Sequence, residues 1–101
     1  MAEFVFAAKT HAIPANRGKT ITLGDRKIAL FNVDGAFYAI DNTCLHRGGP
    51  LGEGELVGCV VTCPWHGWKF DVRSGEMTMN PATRVNRYPT RVDAGDVQVC
   101  C

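Results

Sequence analysis

Lys27-Ile28-Ala29-Leu30-Phe31-Asn32-Val33-Asp34-Gly35-Ala36-Phe37-Tyr38-Ala39-Ile40 is the stretch that decides how this chain folds. Asp34-Gly35 stands between two apolar runs, and Asp and Gly are residues that tolerate the positive φ of a two-residue hairpin turn. The stretch 27–40 therefore reads as a β-hairpin. Ile28-Ala29-Leu30-Phe31 is apolar on both of its faces, whereas a strand wetted on one side alternates. The hairpin is thus expected in the core of a small sandwich or barrel, covered on two sides.

Working outward, further short apolar runs recur between turn signals: Phe4 to Ala7, Lys19 to Leu23, Leu56 to Thr62, Trp68 to Asp71, Val85 to Tyr88 and Val97 to Cys101. Asp93-Ala94-Gly95-Asp96 makes a second turn, after which Val97, Val99 and Cys101 share one strand face. With 11 glycines in the chain, no window of helical length keeps an uninterrupted apolar stripe. The fold class is all-β.

The chain has 101 residues, 46% hydrophobic and 21% charged, which suits one compact domain. Eleven basic residues against 10 acidic ones give a formal charge of +1, which offers no argument for wrapping nucleic acid or lying on an anionic membrane. No apolar run approaches the ~20 residues that span a bilayer, and Met1 to Phe6 lacks the basic start and cleavable apolar stretch of a secretory signal. A cytoplasmic location is the expectation. Five cysteines in a reducing compartment then raise the question of which thiols bind metal.

Asp41 to about Val72 breaks the strand rhythm with two loops rich in Gly and Pro, Cys44-Leu45-His46-Arg47-Gly48-Gly49-Pro50-Leu51 and Cys63-Pro64-Trp65-His66-Gly67-Trp68-Lys69-Phe70-Asp71. Two of the three histidines and two of the five cysteines fall here, as Cys-x-His and Cys-x-x-His units sixteen residues apart. Loops of this kind bring two thiolates and two imidazoles to one point, so Cys44, His46, Cys63 and His66 are the candidate metal ligands. Two metals compete for such a set. A zinc finger pairs Cys-x₂₋₄-Cys with His-x₃₋₅-His, whereas here each unit supplies one sulfur and one nitrogen. A Rieske [2Fe–2S] centre needs two sulfurs on one iron and two nitrogens on the other, which mixed units provide.

These two motifs, with the Ser74-Gly75 turn behind them, resemble the Rieske-type ferredoxin family, in particular the ferredoxin components of bacterial ring-hydroxylating oxygenase systems. The resemblance implies a [2Fe–2S] cluster with Cys44 and Cys63 on the inner iron and His46 and His66 on an outer, partly exposed one. It implies a single Rieske domain over 1–101: an antiparallel β-sandwich or barrel base, 1–41 and 73–101, with an inserted two-loop cluster-binding subdomain, 42–72. Arg47, Gly48, Gly49, Pro50, Leu51, Pro64, Trp65, Gly67 and Trp68 are then expected to surround the ligands, with the amides at 47, 49 and 65 as donors to sulfur. Trp65 is expected to shield the cluster and Trp68 to pack over apolar neighbours. Arg47 and Lys69 lie close enough to the ligands to steer an acidic partner, although isolated surface charges usually do nothing specific.

Charge counting shows what such a site offers. Two ferric ions, two sulfides, two thiolates and two neutral imidazoles sum to zero, while a four-cysteine site starts at −2. Adding an electron to a neutral centre is easier, in agreement with Rieske potentials of about −150 to +300 mV against about −400 mV for plant-type ferredoxins. High-potential members of the family carry a disulfide and hydroxyl donors beside the cluster. The corresponding positions here hold Gly49, Trp65 and Trp68, which places the expected potential in the lower half of the range.

An oxygenase would need a separate mononuclear iron, usually held by two histidines and a carboxylate, and once His46 and His66 are used His11 alone remains. The expected role is a one-electron carrier without catalytic residues, taking electrons from a flavin-dependent reductase and delivering them to an oxygenase or other redox enzyme. A second reading is a small subunit of a larger reductase such as nitrite reductase, and a third is a zinc-stabilised interaction module. Cys59, in the apolar run Val57 to Val61, reads as a buried small hydrophobe, and His11 as a surface residue.

Overall fold

The structure, a computed structural model, describes residues 3–44, 49–65 and 67–100. Twelve strands follow in chain order: β1 Phe4–Lys9, β2 Arg17–Leu23, β3 Arg26–Val33, β4 Ala36–Asp41, β5 Glu55–Val57, β6 Val60–Thr62, β7 Lys69–Asp71, β8 Glu76–Met77, β9 Asn80–Arg84, β10 Arg87–Tyr88, β11 Thr90–Asp93 and β12 Asp96–Cys100. Their described pairings are antiparallel. They form three sheets with strand orders β1-β12-β11, β10-β4-β3-β2 and β5-β6-β7-β8-β9.

The expected hairpin is β3–β4, and Asp34 and Gly35 take φ of 49° and 91° at its turn. Ile28, Ala29, Leu30 and Phe31 are all fully buried, and their alternation sends them to opposite sides. Ile28 and Leu30 join Ala8, Ile21, Val97 and Val99 in a core shared with the β1-β12-β11 sheet. Ala29 and Phe31 join Leu56, Val61, Phe70 and Val72 in a second core, shared with the β5–β9 sheet. The four-stranded sheet is therefore the middle of three layers, which is why its central strand lacks a polar face. Gly18 on β2 lets Phe31 lie flat against the strand, because a side chain there would run into the ring.

Several details depart from the sequence reading. The run Leu56 to Thr62 is not one strand but the hairpin β5–β6, turned by Gly58 at a φ of 61°. Cys59 consequently sits at that turn and is half-buried rather than buried. Val85 falls between β9 and β10 instead of starting a strand, although it is buried. The third sheet also continues past residue 72, because β8 and β9 fold back on β7.

One polar chain ties β10 to β4 and β3 within the middle sheet. Arg26 donates to the Tyr88 hydroxyl at 3.0 Å, Tyr88 donates to Asp41, and the second Asp41 oxygen accepts the Asn86 amide at 3.0 Å. Burial and the adjacent Asp41 carboxylate push the Tyr88 phenol above its ordinary value, with Arg26 opposing them. A raised tyrosine contributes stability that is intact below the unfolded value of about 10 and disappears as pH climbs through the folded one. Tyr88→Phe should abolish this alkaline component. Urea titrations at pH 8 and pH 11 should show a smaller loss of stability between the two pH values in the variant than in the wild type.

Candidate metal centre

The two cysteine-bearing loops close in the same way. In the first, the Cys44 amide donates to the Gly49 carbonyl at 2.9 Å, with Thr43 and Pro50 bridging just outside. In the second, the Cys63 amide donates to the Trp68 carbonyl at 2.7 Å, and the Gly67 amide returns to the Cys63 carbonyl at 3.0 Å. Each cysteine thus opens a six-residue loop, 44–49 or 63–68, and satisfies its own amide at the loop's far end. Gly67 takes a φ of 77°, a left-handed conformation that costs glycine little, and this turns the second loop back toward β7.

Neither cysteine is in a disulfide, both are 2% exposed, and both belong to the core between the middle and third sheets. The loops also meet. A Cβ built on Gly49 would lie 2.6 Å from the Cys63 sulfur and 3.3 Å from Cβ of Trp65. A side chain at 49 would fill the space beside that sulfur, so Gly49 leaves one side of the thiol open. Two buried soft donors at the mouths of paired loops, with a cradle kept free by glycine, fit an iron–sulfur group. Leu45, His46, Arg47, Gly48 and His66 lie outside the described residues, and among the described ones no group of three or more potential ligands comes together.

The neighbours divide by role. Leu51 is fully buried, and Trp68 packs against the same core as the two cysteines. Trp65 is 58% exposed, with the base of its side chain against Gly49. Pro50 is half-buried, while Pro64 and Gly67 are exposed. Lys69 is exposed and donates to the Thr62 hydroxyl at 3.2 Å, on the strand leading into Cys63. Asp71 serves a turn: its carboxylate accepts from the Arg73 amide and guanidinium at 2.9 Å, and its carbonyl accepts the Gly75 amide at 2.7 Å. The guanidinium holds the Asp71 carboxyl below its ordinary value. His11 is exposed, as expected, and Cys100 is half-buried on β12, away from this core.

Two supporting residues gave no motif signal. Gly54, just before β5, packs so closely on the Thr62 carbonyl that a methyl group there would overlap it. Asn42, buried just ahead of Cys44, accepts the Gly52 amide at 2.8 Å on its side chain and the Leu51 amide at 2.7 Å on its carbonyl.

An all-β chain that presents two buried thiols from paired loops over a sandwich has donors suited to a metal centre in a small domain. The family model for the Rieske [2Fe–2S] domain matches residues 3–89, and the chain belongs to that family. It is 30% identical over 98 residues to the ferredoxin component of a naphthalene 1,2-dioxygenase system from Pseudomonas aeruginosa, covering 96% of this chain and 94% of that one. It is 36% identical over 98 residues to a biphenyl dioxygenase ferredoxin subunit from Pseudomonas sp. strain KKS102, covering 95% and 90%. Among solved structures it resembles a chain from the complex of reduced oxygenase and oxidized ferredoxin in carbazole 1,9a-dioxygenase, with a TM-score of 0.87, 27% identity and coverage of 96% and 92%. A chain described as an NADH-dependent nitrite reductase small subunit from Mycobacterium tuberculosis matches with a TM-score of 0.90, 26% identity and coverage of 100% and 96%. The chain is an electron carrier rather than a catalyst, and its cofactor is a Rieske-type [2Fe–2S] cluster. Among the described residues no helix is long and apolar enough to cross a membrane.

Gly54→Ala should displace the Thr62 carbonyl, one residue before Cys63. Overpacking of this kind costs about 1–3 kcal/mol, so chemical denaturation should show a lower midpoint. Gly58→Ala, with open space around its Cβ position, should lose less through its unfavourable φ alone.

Proposed function

We propose that Cys44, His46, Cys63 and His66 hold the cluster, and that the chain carries single electrons from a flavin-dependent reductase to the Rieske centre of a ring-hydroxylating oxygenase. The observation that carries this reading is the pair of identically closed loops, each opening on a buried cysteine and meeting where Gly49 passes the Cys63 sulfur. The bound cluster supplies a one-electron couple. The chain's part is to offer two thiolates from cysteines buried in the core, and two imidazoles from the same loops. Their combined charge balances the oxidised irons and sulfides, so that reduction adds a single negative charge. Closure of each loop through its cysteine amide fixes the backbone that carries each sulfur. Trp65, more than half exposed beside this site, supplies aromatic surface for a partner to cover. The chain's similarity to ferredoxin components of dioxygenase systems supports the direction of transfer.

The nitrite reductase small subunit keeps a second reading in view. It differs in partner, not in cofactor, and co-purification with a large reductase subunit would favour it.

Aerobically purified protein should be red-brown, with two irons and two acid-labile sulfides per chain. It should be reduced by a dioxygenase-system reductase with NADH and reoxidised by an oxygenase. Cys44→Ser or Cys63→Ser should abolish stable assembly, while Cys59→Ala, at a turn away from the loops, should retain full iron and sulfide. Stoichiometric zinc without labile sulfide would refute the reading, and bleaching by Cys59→Ala with a coloured Cys63→Ser would refute the ligand assignment.

A further inference from the structure

Two asparagines, Asn32 and Asn42, are the buried polar residues of the middle sheet's hairpin and its exit. Asn32 acts inside the base, donating to the Ile13 carbonyl at 2.8 Å and accepting the Gly35 amide at 2.7 Å. Asn42 faces both ways. Toward the base, its amide donates to the Lys27 carbonyl at 3.2 Å, and its side-chain oxygen accepts the Thr20 hydroxyl at 3.0 Å. Toward the site, the same oxygen accepts the Gly52 amide at 2.8 Å and its carbonyl accepts the Leu51 amide at 2.7 Å. One residue therefore fixes the far end of the first ligand loop to β2 and β3.

The second loop has a different support, since β6 and β7 of the third sheet carry it. The distance between the loops is consequently set by how the first is moored, and the gap has little slack, because Gly49 already borders the Cys63 sulfur and Trp65. Gly52 has little slack either, with its Cβ position 2.7 Å from the Thr20 amide nitrogen.

We infer that Asn42 is a positioning residue for electron transfer: its buried carboxamide oxygen holds the first loop at the distance from the second at which the cluster is bound. The inference rests on Cys44 and His46 in one loop and Cys63 and His66 in the other being the ligands. Truncation of Asn42 leaves the Gly52 amide buried without its acceptor, which destabilises the loop as it stands. The first loop relieves that cost by moving, and movement there alters the ligand frame.

The test compares full-length wild type, Asn42→Ala, Asn42→Asp, Thr20→Val and Asn32→Ala, all purified with cluster. Three quantities are read: thermal unfolding, iron loss to a chelator, and the electron paramagnetic resonance g-values of the dithionite-reduced protein. Asn42→Ala should lose iron about tenfold faster and shift the g-values. Thr20→Val should move both in the same direction by less, and Asn42→Asp, which keeps an acceptor for Gly52, should recover iron retention. Asn32→Ala should lower the unfolding temperature while leaving iron loss and g-values at wild-type values. Wild-type iron loss and g-values in Asn42→Ala, or the same changes in Asn32→Ala, would overturn the inference. If Asn42→Ala does not accumulate folded, Thr20→Val decides by the same readouts. A wild type without iron and sulfide would overturn the proposed function together with the inference, whereas a loaded wild type with an unaffected Asn42→Ala would overturn the inference alone.

Discussion

Burial of β3 on both faces is the constraint from which the rest of the molecule follows. Ile28 and Leu30 cannot be covered by the same layer as Ala29 and Phe31, so a sheet is required on each side. Each large apolar side chain of this strand contributes about 1.5–3 kcal/mol when fully buried. The outer layer on the Phe31 side is built from the short strands β5 to β9, and two of them, β6 and β7, flank the loop that contains Cys63. The first loop leaves the middle sheet directly after β4. The thiols are buried because the core that Phe31 demands extends to the base of both loops.

Much of this was legible in the residues. Apolar pattern and turn chemistry located β2, β3, β4 and β12, since each either alternates cleanly or is apolar throughout, and the Cys/His spacing located both loops. The strands that escaped are short and mostly wet. Glu76–Met77, Asn80–Arg84 and Thr90–Asp93 bury almost nothing, so burial leaves no period in their sequence; their partners, not their composition, make them strands. Cys59 reads as buried in the sequence yet is half-buried, because an apolar run hides a turn when a single glycine, Gly58, carries it. Asn42 had no repeat or partner nearby in sequence to mark it, and its bonds to Thr20 and Gly52 exist only once the layers are stacked.

The loops also show how different local sequences reach the same closing hydrogen bond. Cys44 and Cys63 each satisfy the backbone amide by reaching five residues along the chain, yet the first loop ends on Gly49-Pro50 and the second turns at Gly67. What the two share is the requirement that a buried amide find an acceptor. Meeting that requirement locally keeps both cysteines at the base of their loops, beside the core they share.

The two loops spring from different layers, one from the middle sheet and one from the third. Anything bound by both therefore rivets those layers across the core they share, and its binding free energy becomes part of the free energy of folding. Cofactor chemistry and chain durability are then a single quantity. Oxidative loss of iron would remove one tie across the Phe31 core and leave the apolar contacts and the hydrogen bonds of Asn42 to hold the layers, so that the carrier's durability would depend on the oxidants it meets as well as on temperature.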